Sequence, residues 1–190
     1  MAYSTTISKK PRTSCRFSTR DLVLAGMFAA VLTVISQISI PMPSGVPLTI
    51  QVFGVALVGS VLGWKLGTFA VLTYILLGAV GLPVFSNFHG GFGVLAGVTG
   101  GYICSWPVMS VLCGIRPKTS NRTLNIAIRI TAALAGLCIV EVIGGLQWAV
   151  LVEAMPLTAI FLYSITAFVP KDIALTIAAV LLGSRIRKIL

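Results

Sequence analysis

Charge is scarce in this chain, and acidic side chains are the scarcest. Only 9% of the 190 residues are charged, and Asp and Glu together number 4. A soluble domain carries about 25% charged residues. Since 57% of the residues are hydrophobic, the composition excludes an ordinary soluble domain and indicates an integral membrane protein with a single bundle.

The residues that usually build metal and catalytic sites are also few. The chain has one histidine, His89, and four cysteines without a CxxC pair. A structural zinc site needs four such ligands at suitable spacing. No HExxH motif and no Walker A lysine after glycines is present. We therefore expect no cofactor, no nucleotide hydrolysis and no enzyme, although a lone histidine could still perform acid–base work.

Apolar runs predict six transmembrane helices. A helix rises 1.5 Å per residue and must cross a hydrocarbon core of about 30 Å. The last run, 155–183, is too long for one span, and Pro170 suits the first turn of a new helix. We predict an outer, interfacial helix or hairpin over 155–168. The six predicted spans cover residues 21–40, 47–64, 66–82, 98–115, 124–151 and 170–188.

Basic residues of the tail and loops fall on one side of this predicted bundle, apart from Lys171 at the start of the sixth span. They lie in the tail 1–20, at Lys65, in the loop 116–122 and at 185–188. The positive-inside rule places that side in the cytoplasm. We predict a disordered cytoplasmic tail over 1–20, one membrane domain over 21–190 with both termini inside, and a multi-pass location in the plasma (inner) membrane. The net charge of +10 then reflects topology and not nucleic-acid binding.

A glycine-rich stretch, residues 81–102, interrupts the spans on the predicted outer side. It contains seven glycines and four aromatic rings, together with Asn87 and His89. Glycine at this density lets the backbone pack closely and leaves N–H groups free for a ligand. We interpret the stretch as a lid over a cavity. The alternative is a re-entrant connection that only closes the protein.

Polar side chains from four parts of the chain are predicted to converge near this lid. Gln51, Asn87, Trp148 and the pair Lys171–Asp172 all lie toward the outer half. Asn87 offers a donor and an acceptor, Asp172 accepts hydrogen bonds, and Lys171 can hold a carboxylate. The set suits a small, rigid, partly apolar molecule with a cyclic amide and an acid group. Alternatively, Asp172 only caps a helix and Lys171 reaches to headgroups.

Glu141 lies inside the fifth predicted span. An acid in a membrane helix is costly and indicates function by default. We favour a protonated glutamic acid that bonds across helices, and the alternative is a proton relay.

Small residues recur on the first predicted span. Ala25 and Ala29, with Gly26 and Ala30 beside them, have the small-xxx-small spacing that lets helix backbones approach closely. The pattern indicates either packing within this bundle or a docking face for a partner membrane protein.

Five short segments carry a family resemblance. They are VPLTIQ at 46–51, GLPVF at 81–85, the pair at 90–91, TGGY at 99–102 and FVPKD at 168–172. In combination they make the chain similar, over residues 21–188, to the BioY family. Members of that family are the biotin-specific substrate-capture (S) subunits of energy-coupling-factor (ECF) transporters.

The resemblance implies a six-helix subunit that binds biotin near the outer face and delivers it across the membrane. It implies that Asn87 and Asp172 bond the ureido ring and that residues 85–92 cover the ligand. It also implies that Ala25 and Ala29 meet a transmembrane coupling subunit, which two ATP-binding cassette ATPases drive. The resulting candidate site consists of Gln51, Phe85, Ser86, Asn87, His89, Gly90, Gly91, Tyr102, Trp148, Lys171 and Asp172.

Three positions depart from the pattern of the family. Lys171 stands where a glycine is usual, Leu175 where a lysine is usual, and Val98 where a proline is common. Either Lys171 takes over as the carboxylate or ureido partner, or the site has no lysine contact. The alternative function is a stand-alone proton-coupled carrier in which Glu141 carries the proton.

Overall fold

A computed structural model describes residues 18–42, 44–117, 119–152 and 156–189. Within these ranges the chain is mainly helical, with a two-stranded ladder and one 3-10 turn. The elements are α1 Thr19–Ser36, β1 Ser39–Ile40, β2 Leu48–Thr49, α2 Gln51–Leu62, α3 Trp64–Ala79, the 3-10 turn Ser86–Phe88, α4 Phe92–Ala96, α5 Gly100–Cys113, α6 Arg122–Leu151, α7 Leu157–Ala167 and α8 Val169–Ile186.

Helix α2 forms the centre of the bundle because it is apolar on all sides. Ten of its 12 residues are buried, and it packs against α1, α3, α5 and α8. Small residues permit these contacts: Gly59 approaches the backbone of Ser110 on α5, and Gly54 faces Leu32 on α1. A helix that is hydrophobic all round is expected in such a buried position.

Helix α1 is shorter than the first predicted span. The chain leaves the helix after Ser36 because Ser39 and Ile40 pair antiparallel with Thr49 and Leu48. For the same reason, α2 begins at residue 51 and not at residue 47. The ladder fixes the segment before α2 at the end of the bundle where the candidate site lies.

The small residues of α1 are divided between two faces. Ala25 and Ala29 are 1% and 3% exposed and belong to the hydrophobic core, where α1 packs on α2 and α3. Gly26 and Ala30 are exposed. The interpretation of Ala25 and Ala29 as a docking face is therefore wrong for this conformation, because their surface is used by close packing within the bundle.

The last apolar stretch is interrupted as Pro170 predicts. Helix α7 ends at Ala167 and α8 begins at Val169, with Pro170 in the first turn, and the two helices are bent by 48°. Asp172 also lies in the first turn of α8, where free N–H groups and the helix dipole stabilise a carboxylate. The predicted helix boundary is confirmed, whereas the interfacial depth of α7 stays a prediction.

The number of membrane spans stays a prediction. By length and apolarity α1 and α6 can each cross a membrane, and the bent pair α7–α8 is a third candidate. Among the described residues, α2, α3 and α5 have 12, 16 and 14 residues. At 1.5 Å per residue they are shorter than a hydrocarbon core of about 30 Å. Most of the predicted tail, residues 1–17, and Lys118 lie outside the described residues.

The two ends of the bundle differ in chemical character. Arg116 and Arg187 lie at the end where α5 and α8 finish. At the opposite end α2, α5 and α8 begin, and their first turns contain Gln51, Tyr102 and Asp172. The fold thus separates Arg116 and Arg187 from the candidate site, which contains Lys171 as its own basic residue.

Candidate functional site

A pocket opens where α2, α5 and α8 begin. Its empty space is about 540 Å³, including the part that is open to solvent. A few polar side chains face apolar walls there, which is the usual character of a small-molecule site. The lining residues are Val46, Pro47, Thr49, Gln51, Val52, Ser86, Thr99, Tyr102, Ile103, Trp106, Glu141, Phe168, Lys171 and Asp172.

The charged part of this pocket is the pair Lys171–Asp172. The ammonium of Lys171 donates to Asp172 Oδ1 at 2.5 Å and to the carbonyl of Thr49 at 2.6 Å. A carboxylate that is 4% exposed needs such pairing. The third N–H of Lys171 and the second oxygen of Asp172 form no hydrogen bond with the described residues. The pair therefore presents a donor and an acceptor side by side.

Gln51 connects the pocket to the lid. Its side-chain N–H donates to the Tyr74 hydroxyl at 3.2 Å, and that hydroxyl donates to the carbonyl of Val84 at 2.9 Å. Both side chains are buried, so these bonds avoid the cost of unsatisfied polar groups. Within the described part of the chain the side-chain oxygen of Gln51 has no donor, so it can accept a hydrogen bond from a ligand.

Glu141 adds a second carboxyl group to the wall. The hydroxyl of Ser164 on α7 donates to Glu141 Oε2 at 2.5 Å. Glu141 lines the pocket and also an apolar groove between α6, α7 and α8. The predicted bond across helices is confirmed, and the protonation of Glu141 stays a prediction.

The lid is fastened to the end of α1. The Ser36 hydroxyl donates to the carbonyl of Val84 at 2.5 Å. The Gln37 side chain donates to the carbonyl of Phe85 at 3.2 Å and accepts the N–H of Phe88 at 2.9 Å. These bonds hold one side of the lid against the bundle over its first eight residues.

The tip of the lid has a strained backbone. Asn87 and Phe88 have φ angles of 56° and 57°, a region that asparagine tolerates better than a bulky residue. Such conformations cost of order 1–3 kcal/mol each. Gly91, with φ of 97°, donates its N–H to the carbonyl of Gly78 on α3 at 2.7 Å. The surrounding hydrogen bonds therefore impose the shape of the tip.

A second pocket adjoins the first beneath this tip. The two pockets share Pro47, Ser86 and Thr99, and the second is also lined by Asn87 and His89. The Ser39 hydroxyl donates to Asn87 Oδ1 at 2.7 Å, which leaves the side-chain NH₂ of Asn87 available. No acidic side chain of the described residues lines this pocket.

The structure brings part of the predicted site together in the first pocket and part in the second. Asn87 and Asp172 line adjoining pockets and not a single one. The predicted residues in the first pocket are Gln51, Ser86, Tyr102, Lys171 and Asp172, and those in the second are Ser86, Asn87 and His89.

Four predicted site residues line neither pocket. Phe85 and Trp148 are each 1% exposed and pack edge-on against other rings, so their expected ligand contacts are wrong for this conformation. Gly90 and Gly91 shape the backbone: a Cβ on Gly90 would overlap the carbonyl of Leu82. The rings of Phe85 and Trp148 lie in the hydrophobic core because the burial of large aromatic side chains is favourable.

Sequence reasoning missed most of the apolar lining. Trp106 lies four residues after Tyr102, so helical spacing could have placed both on one face of α5. Other missed residues lie within the segments that carry the family resemblance, so the motifs contained the signal. These residues are Val46, Pro47, Thr49, Thr99 and Phe168.

Comparisons with known proteins identify the family. The sequence model of the BioY family matches residues 8–190. The chain belongs to the BioY family. The "Probable biotin transporter BioY" of Pyrococcus horikoshii is 36% identical over 169 residues, which are 88% of this chain and 96% of that protein. The "Biotin transporter BioY" of Thermotoga maritima is 45% identical over 125 residues, which are 66% of this chain and 72% of that protein.

A solved structure has the same fold. The crystal structure at 2.1 Å of the S-component for biotin from an ECF-type ABC transporter matches with a TM-score of 0.77 and 25% identity. The match covers 91% of this chain and 95% of that chain. The predicted family is confirmed. BioY proteins are transporters, so this is a membrane protein and not an enzyme.

Proposed function

We propose that the protein captures biotin in the two adjoining pockets and delivers it across the membrane as the S subunit of an ECF transporter. The Lys171–Asp172 pair beneath the lid carries this proposal, in a chain whose relatives are named biotin transporters. Biotin is the cargo, and the site needs no cofactor. The match to an S-component favours this function over a stand-alone proton-coupled carrier.

The charges of the two pockets favour one orientation of biotin. Asp172 lines the first pocket, and its charge would repel the carboxylate of the ligand. The ureido ring has N–H donors and a carbonyl acceptor, which match the free oxygen of Asp172 and the free N–H of Lys171. The acid chain then extends into the second pocket toward the NH₂ of Asn87. In this orientation Asn87 bonds the acid, although the family resemblance implies a bond to the ureido ring.

The apolar walls suit the fused rings of biotin. Val52, Ile103, Trp106 and Phe168 line the first pocket around the charged pair. A rigid bicyclic ligand loses little conformational entropy when it is enclosed by such walls. We therefore expect tight binding.

Energy for transport comes, in this proposal, from partner subunits. An S-component belongs to an ECF-type ABC transporter, and the chain has no nucleotide-hydrolysing motif of its own. We propose a transmembrane coupling subunit and two ATP-binding cassette ATPases as the partners. The protein then lies in the plasma membrane with its basic end in the cytoplasm, in agreement with the positive-inside rule.

Calorimetry of the purified protein tests the proposed ligand. We expect one biotin to bind per chain. An analogue with an alcohol in place of the acid should bind about 10- to 100-fold more weakly, because a hydrogen bond to a charged group contributes about 1.5–3 kcal/mol. An analogue methylated on both ureido nitrogens should lose binding, because it has no donor for Asp172. The proposal fails if biotin does not bind or if the methylated analogue binds equally well.

Replacing Lys171 by methionine should weaken biotin binding about 10- to 100-fold, because a charge-assisted hydrogen bond contributes about 1.5–3 kcal/mol. The change also releases Asp172 and the carbonyl of Thr49 from the ammonium. Calorimetry measures the affinity, and Lys65→Met, at the opposite end of the bundle, is the control. Unchanged affinity in Lys171→Met would remove Lys171 from the site.

A further inference from the structure

Within the part of the chain that the structure describes, one arginine at the basic end of the bundle is buried without a partner. Arg129 on α6 is 9% exposed, and its Nε has no hydrogen-bond partner among the described residues. With the described residues the guanidinium forms neither a hydrogen bond nor an ion pair. A guanidinium has five N–H donors and stays charged, and burying an unpaired charge is costly. The position therefore calls for an acceptor from outside the described residues.

Two further arginines lie close to Arg129. Arg116, after α5, donates Nη2 to the carbonyl of Val61 at the end of α2 at 3.3 Å. Arg187 follows the last turn of α8. The pKa of Arg116 is lowered, first by burial and then by the charges of Arg187 and Arg129. The three guanidinium groups thus come from separate elements and lie within electrostatic reach of one another.

The acidic residues that the structure describes either form other hydrogen bonds or lie far from the three arginines. Asp21 is held in the N-terminal capping box of α1. Glu141 and Asp172 line the pocket at the opposite end. Among the residues that the structure describes, no acid is thus placed to neutralise the three arginines.

We propose that Arg116, Arg129 and Arg187 bind the phosphate headgroup of an anionic phospholipid. Guanidinium groups match phosphate oxygens in bidentate geometry, and basic pockets between membrane helices on the cytoplasmic side bind anionic headgroups. Ile115 and Ile189, close in sequence to two of the arginines, are exposed and offer an apolar surface to the acyl chains. An acidic segment of a partner protein would use the charges but not this apolar border.

Thermal unfolding of the detergent-solubilised protein tests the proposal. Phosphatidylglycerol should raise the midpoint, whereas phosphatidylcholine and inorganic phosphate at the same concentration should not. Removing one arginine should weaken phosphatidylglycerol binding about fivefold, since each basic residue contributes about 1 kcal/mol. Arg129→Met should lose most of the lipid-dependent shift, and without lipid it should be at least as stable as the unmodified protein, because the buried unpaired charge is gone.

Matched variants separate this site from general charge effects. Lys65→Gln removes a charge at the same end, where Lys65 lies over the Trp64 ring at 5.0 Å, and should keep the full lipid response. Arg116→Gln is a second test that does not depend on the folding of Arg129→Met. A full response in both arginine variants overturns the proposal. Equal protection by inorganic phosphate also overturns it, as does a requirement for a partner subunit.

Biotin affinity, measured in the same samples, reports on a different part of the molecule. It should be unchanged in Arg129→Met and Arg116→Gln because the pocket lies at the opposite end of the bundle. Loss of the lipid response with intact biotin binding therefore supports the lipid site independently of the proposed transport function.

Discussion

Asp172→Asn is expected to weaken biotin binding by about 30- to 5,000-fold, equivalent to 2–5 kcal/mol for truncating one member of a buried, hydrogen-bonded charge pair. The asparagine keeps the size of the side chain but removes the negative charge. The free acceptor for the ureido N–H is weakened, and the half-buried Lys171 loses its counter-charge. Calorimetry of the variant in detergent measures the change directly.

Asp21→Asn is the matched control for this experiment. It makes the same chemical change at a half-buried residue of the α1 capping box, away from the pocket. Biotin affinity should be unchanged, although the first turn of α1 loses part of its stabilisation. An affinity within twofold of the unmodified protein in Asp172→Asn would contradict the proposed site. Loss of uptake on replacing Glu141 but not Asp172 would instead favour the proton-coupled carrier.

Gly100→Ala is expected to destabilise the protein by about 3 kcal/mol, at the upper part of the usual range for overpacking. A Cβ there would overlap the carbonyl of Leu95 and lie 2.6 Å from Nε2 of Gln147. That amide nitrogen donates to the carbonyls of Leu95 at 3.0 Å and Gly97 at 2.8 Å. The substitution therefore disrupts the hydrogen bonds that hold α4 against α6. Biotin binding should weaken because the lid loses this attachment.

Gly93→Ala is the control for the glycine substitution. It adds the same methyl group to the lid within α4, where nothing lies within 4 Å of the new atom. Alanine favours a helix over glycine by about 1 kcal/mol, so the thermal midpoint should stay the same or rise slightly. Thermal unfolding of the two variants side by side measures the difference. Equal midpoints would show that the close approach at Gly100 is unimportant.

The features that depend only on neighbouring residues could be predicted from the sequence. Pro170 lacks an N–H and has a fixed φ, so it predicts a helix start whatever the tertiary contacts of the segment are. Asp172 follows in the first turn for the same local reason. The resemblance of short segments to the BioY family likewise needed only the printed residues.

Features that depend on distant parts of the chain could not be predicted in the same way. Spacing placed Ala25 and Ala29 on one face of α1, but only the packing of α2 and α3 shows that this face is internal. The family resemblance implied that Asn87 and Asp172 both bond the ureido ring. The turn at 86–88 instead directs the oxygen of Asn87 to Ser39, which is 48 residues away in sequence. Composition contains no information about such pairings.

The fastening of the lid has a mechanical consequence. Ser36 and Gln37 hold the lid from α1, and Tyr74 and Gly78 hold it from α3. Lys171, by contrast, anchors the start of α8 to the strand before α2. Tilting α1 and α3 together, as a rigid pair, would move the part of the lid before α4 away from the pocket, while Gln147 on α6 held α4 in place.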